Sequence, residues 1–155
     1  MALMLSIFDR LIDDAPETGQ DAELSRASLY SQVRDAMKRD LEVVLNARRR
    51  FLSPPAHLTY LQDSLLNFGM SDFTNENVRS ADFQREFRLH VIDLIKRLEP
   101  RLVSVDVRII EGKDEFDRAL RFRIQGALML GEGEREEIIF NSYMDALERN
   151  VVVEK

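Results

Sequence analysis

The amino-acid sequence predicts an α+β domain, with N-terminal helices packed on one face of a small antiparallel sheet of three or four strands. Three observations predict it. Apolar residues recur at helical spacing as far as Leu98, the period shortens to two after Pro100, and glycine-bearing turns separate the alternating runs. Helices followed by a meander indicate segregated layers rather than alternating βαβ units.

Leu3, Ile7, Phe8, Leu11 and Ile12 fall at helical spacing and predict a short amphipathic helix. The acidic run Asp13–Asp21, which contains Pro16 and Gly19, reads as a linker. Residues 1–22 therefore form an N-terminal segment, and residues 23–155 one domain. Helices this short are marginal in isolation, so the segment either folds back on the core or fills a partner's groove.

A long helix is expected from Ser28, as N-cap, to about Asn46. Its stripe is Leu29, Val33, Met37, Leu41, Val44 and Leu45, with Asp35, Lys38, Arg39 and Glu42 opposite. Arg48, Arg49 and Arg50 follow, where cations suit the helix dipole, and Ser53-Pro54-Pro55 ends it. A shorter helix spans about His57 to Asn67, stopped by Gly69, and Ser71–Asn77 is a loop. The next helix, about Ser80 to Leu98, buries Phe83, Phe87, Val91, Leu94, Ile95 and Leu98, leaving Leu89 and Ile92 on its charged side.

Val103, Val105, Val107 and Ile109 alternate with Ser104, Asp106 and Arg108 in a first strand with one buried face. After a turn starting at Glu111–Asp114, Leu120, Phe122, Ile124 and Leu128 mark a second strand. Gly131–Glu134 turns into a third strand, with Ile138 and Phe140 on one face. Val151–Val153 is a candidate fourth strand, preceded over Tyr143–Asn150 by a short helix or a loop. As a valine-rich edge it calls for pairing or cover, from within the domain or by a partner's strand.

The 155 residues suit one domain, 45% of them apolar and 32% charged, and a chain of this size needs no staples to fold. Cysteine is absent, which removes disulfides and thiolate chemistry and suits a reducing compartment. A net charge of −6 and a pI near 5.0 argue against nucleic acid as the main partner. No stretch approaches a membrane span, and Met1–Ile12 lacks the basic flank and cleavage site of a leader, so the expected location is cytoplasmic, without membrane insertion.

Signatures of chemistry are sparse. His57 and His90 lie on different helices without partners at metal-ligand spacing, so neither metal nor cofactor is expected. Asp72–Phe83 superficially resembles a calcium loop, but has Asn77 where glycine is required and Phe83 in place of the bidentate glutamate. There is no phosphate loop and no nucleophile elbow. A glycosidase needs only two carboxylates, but no pattern elects a pair among 28 acidic residues.

One place is physically unusual. Glu99 sits against the dipole at a helix C-terminus, Pro100 stiffens the junction, and residues two apart in an extended segment share a side. Glu99 and Arg101 can therefore pair. The pair is either a surface salt bridge worth about 0–1 kcal/mol or a preformed polar site for a partner.

Four blocks in order carry a family resemblance: Ser6–Leu11; Val33 with Asp40-Leu41 and Leu45-Asn46-Ala47-Arg48-Arg49; Asp63–Asp72; and Glu99-Pro100-Arg101. With these the chain resembles the TssE family of baseplate wedge subunits in bacterial type VI secretion systems, and its relatives in contractile phage tails. Ala47 departs from the family's commoner threonine. The resemblance implies a structural protein and not an enzyme. It would bind other baseplate wedge subunits and the contractile sheath, and help to start sheath assembly. It marks Glu99, Pro100 and Arg101 as partner-binding, with Ile7, Phe8 and Leu11 as the further candidates. The family's lysozyme-like label supplies the rival reading, a peptidoglycan-cleaving glycosidase. A third is an interaction domain of another complex.

Overall fold

The computed structural model describes residues 6–12, 16–17, 25–49, 55, 57–62, 64–73, 76–110, 119–131, 134–145 and 150–154. In chain order the elements are α1 (Ile7–Leu11), α2 (Arg26–Asn46), α3 (Thr59–Gln62), a 3₁₀ turn (Leu65–Asn67), α4 (Ala81–Leu98), β1 (Leu102–Ile110), β2 (Leu120–Gly131), β3 (Glu134–Met144) and β4 (Val151–Glu154). The strands form one antiparallel sheet in the order β1-β2-β3-β4. The α+β expectation holds, and Val151–Val153 is indeed a fourth strand.

The helices cover one face of the sheet, α4 lying against β1 and α2 against β4. Their stripes meet the even-numbered side of β2 and β3: Met37, Leu41, Phe87, Leu94 and Ile95 are buried with Phe122, Ile124 and Phe140. Phe87 packs edge-on against Phe122 with ring centroids 5.2 Å apart, joining α4 to the sheet. Burial of this continuous apolar layer is the main force holding the layers together.

Several local expectations are corrected. The N-cap of α2 is Ser25 rather than Ser28: the Ser28 N–H donates to Ser25 Oγ, so Ser28 is already inside the first turn. The helix expected over 57–67 is two short pieces, because Ser64 breaks it, accepting from the Leu66 N–H and donating to the Leu61 carbonyl. Leu98, expected in the core, is exposed because α4 ends there, whereas Ile92 packs against the core. Leu89 is exposed as its position on the charged side predicts.

In β1 the alternation slips. A bulge between Leu102 and Ser104 turns Val103 outward and puts Leu102 into the core in its place. Gly126 lies opposite, where a Cβ would sit 2.8 Å from the Ser104 carbonyl oxygen and 3.0 Å from Leu102. The expected turn at 111–114 and most of the acidic stretch 13–21 fall outside the described residues, as do 132–133 and 146–149.

A candidate partner-binding site at the α4–β1 junction

Helix α4 ends at Leu98, and Glu99 is its C-cap, donating its N–H to the Ile95 carbonyl. From there the chain turns through Pro100 into β1, and Glu99 and Arg101 face the same side. Arg101 Nε donates to Glu99 Oε1 and Nη2 to Glu99 Oε2, each at 2.5 Å, a two-pronged pairing; the Arg101 backbone N–H adds a third bond at 3.2 Å. The same Nη2 reaches Asp40 Oδ2 on α2 at 2.8 Å, across 61 residues of sequence. Hydrogen bonding to Glu99 outweighs burial and holds the guanidinium still more firmly protonated than usual.

Burial separates this cluster from an ordinary surface ion pair. Glu99 is only 6% exposed. Arg101 Nη1 is also buried and has no acceptor among the described residues. A guanidinium bonded on one edge and unsatisfied on the other is costly to bury, so the cluster ties helix to strand at an energetic cost.

The charges continue outward. Arg39, beside Asp40 on α2, pairs with Asp9 of α1, and its guanidinium lies 5.5 Å from the Phe8 ring centroid. Ser6 caps α1: its hydroxyl accepts the Asp9 N–H and donates to the Asp9 carboxylate at 2.5 Å. Burial acts to raise the Asp9 pKa, but the bonds from Ser6 and Arg39 outweigh it and hold the carboxyl below its ordinary range. Helix α1 is thus fixed through its polar side, while Ile7 and Leu11 are each 78% exposed and Phe8 is 62% exposed.

The structure therefore brings the two sets of candidate residues into one neighbourhood. Glu99 and Arg101 form the buried end of a charge chain whose exposed end carries Ile7, Phe8 and Leu11, and Pro100 is exposed beside it. The links between them, Arg39, Asp40 and Asp9, were missed as site residues. Adjacent opposite charges on the polar side of α2 are the signal that could have found them, yet such pairs are common on solvated helices.

The family model described as baseplate wedge protein gp25 matches residues 31–132, from within α2 through β2. The chain belongs to this family. No curated protein matches it. Membership makes the chain a structural component of the baseplate in a phage-like contractile system. Asp40, Glu99, Pro100 and Arg101 lie within the matched span, and α1 lies outside it. Among the described residues no group of three His, Cys, Asp or Glu side chains could hold a metal ion, and no helix is long and apolar enough to cross a membrane.

Proposed function

We propose that the chain is the TssE-type wedge subunit of a bacterial type VI secretion baseplate. It works in the cytoplasm, through surfaces rather than an active site, and helps the contractile sheath to start assembling. Its contacts with other wedge subunits run through Glu99, Pro100 and Arg101 and through Ile7, Phe8 and Leu11. The observation that carries this reading is the orientation of α1, which is held by Asp9 and Arg39 with its apolar residues facing outward. A helix that merely completed the core would be turned the other way. An apolar row fixed beside a charged clasp suits the groove of another subunit.

Strand addition is a natural form of sheath contact. Edge strand β4 is capped by α2, because the Asn46 carboxamide bonds both the N–H and the carbonyl of Val151. The opposite edge, β1, is the remaining candidate for an added strand, away from Val107, whose carbonyl accepts from Arg88 of α4. The glycosidase reading gains nothing from the site. Asp40 and Glu99 are brought together, but Arg101 bonds both and fills the space a scissile bond would need.

The test is co-purification with the other wedge subunits. Ile7→Asp combined with Leu11→Asp is expected to leave the thermal melt unchanged and to abolish recovery of the wedge. Normal recovery with both substitutions would sink the role given to α1. Release of muropeptides from peptidoglycan by the purified chain would overturn the structural reading as a whole.

A further inference from the structure

Among the described residues, the two largest apolar exposures lie outside the site just described. Tyr60 is 93% exposed and Leu65 is 88% exposed, with Leu58 and Leu66 at 41% each. All four belong to the short excursion between α2 and the chain's return at Met70.

This excursion is clamped at its base. Arg48 and Met70 form an isolated parallel bridge, in which the Arg49 N–H donates to the Met70 carbonyl at 2.8 Å and the Met70 N–H to the Ala47 carbonyl at 2.7 Å. Arg49 Nη1 donates to Asn67 Oδ1 at 3.1 Å, and Asn67 is buried. Between the clamp points, turn bonds from Leu58 to Pro55, Leu61 to Leu58 and Asn67 to Ser64 give the excursion its own order. A clamped, hydrogen-bonded turn carrying an exposed tyrosine and three exposed leucines suits display of a binding surface, since solvent exposure of such groups has no folding value.

The charge of this stretch of sequence points to the partner. The chain as a whole carries −6, yet along the sequence residues 47–72 set Arg48, Arg49 and Arg50 against Asp63 and Asp72. Arg48 is exposed at the clamp. An apolar display in a net basic stretch with Arg48 exposed complements an amphipathic helix with carboxylates along its flank.

We infer that the clamped excursion, over its described residues 57–62 and 64–68, is a second docking surface, separate from Glu99–Arg101 and α1, and that its occupant is an acid-flanked amphipathic helix of another wedge subunit. This rests on the baseplate reading above. Two contacts at separate places would let the chain join neighbouring subunits rather than cap one of them.

The experiment titrates the full-length chain against the wedge complex purified without it. Tyr60→Ser with Leu65→Ser is expected to keep the melting temperature and weaken binding at least tenfold. Arg48→Glu is expected to weaken binding and flatten its salt dependence. Unchanged affinity for the double variant overturns the docking surface. Lost affinity for it, with Arg48→Glu identical to the parent in affinity and salt response, overturns the acidic partner. Concentration-dependent self-association of the parent that disappears in the double variant, with wedge affinity intact, assigns the surface to a second copy and overturns the inference. Failure of the parent chain itself to bind the wedge complex would remove the baseplate reading, and this inference with it.

Discussion

Asn46, the last residue of α2, and Val151, the first of β4, exchange two hydrogen bonds of 2.8 Å: the Val151 N–H donates to Asn46 Oδ1, and Asn46 Nδ2 donates to the Val151 carbonyl. The carboxamide thus stands in for one peptide unit of a neighbouring strand. Glu42, one turn earlier, accepts the Val153 N–H at 3.4 Å. A short valine-rich strand is in this way kept from offering a bare edge to another chain.

Replacing Asn46 with Ala should leave two partly buried backbone groups unpaired and cost about 1–3 kcal/mol. Asn46→Asp should fall short of full recovery, since a carboxylate accepts from Val151 but cannot donate to it. Urea melts give the energies, and hydrogen exchange at Val151–Val153 localises the loss. Unchanged protection in Asn46→Ala would contradict the capping role.

Gly69 has φ +95°, and a Cβ there would lie 2.3 Å from the Ala47 carbonyl oxygen, the acceptor of the Met70 clamp bond. The sequence suggested a helix stop; the stronger demand is this close approach. Gly69→Ala is expected to cost at least about 2 kcal/mol, combining left-handed strain with the broken clamp. A denaturation midpoint equal to the parent's would refute it.

His90 is partly buried beside Phe73, and its Nε2 lies 3.2 Å from the backbone N–H of Ser71, which donates to it. Burial, with Arg49 and Arg97 nearby, lowers its pKa below the ordinary histidine value. A depressed histidine pKa means that the unfolded chain binds the proton more readily. Stability should therefore decline as pH falls below about 6.5. Melting temperatures from pH 7.5 to 5.5 are expected to drop less in His90→Gln than in the parent. Parallel pH profiles would show that His90 is not the titrating group.

The layer order and all four strands were legible in the sequence, Val151–Val153 as a candidate; in β2 and β3 period and burial agree, and Phe122, Ile124, Ile138 and Phe140 alternate inward as their spacing requires. Val103 was misread because a bulge shifts phase without leaving a composition signal, although Gly126, which pairs with Val105 beside the bulge, was a clue. At the site, proximity in sequence revealed Glu99 and Arg101. Asp40, Arg39 and Asp9 were invisible as a group because only the fold brings α1 to α2 and α2 to the junction. Burial of Glu99 was likewise beyond sequence reasoning, since a carboxylate at a helix end is ordinarily solvated.

That burial sharpens the central claim, that the Glu99–Arg101 clasp serves assembly in addition to holding α4 to β1. Arg101→Ala strands the Glu99 carboxylate and should cost about 3 kcal/mol, the low end for a broken buried pair because Arg101 is partly exposed. Melting alone cannot then separate the two roles. The double variant Glu99→Leu, Arg101→Met removes both charges at similar volume, and stability should return to near the parent's. The decisive measurement is wedge co-purification with that double variant, at a temperature where its melt confirms a folded chain. The account predicts a stable domain that no longer recovers its wedge partners; a stable double variant that assembles normally would make the clasp a fold element alone.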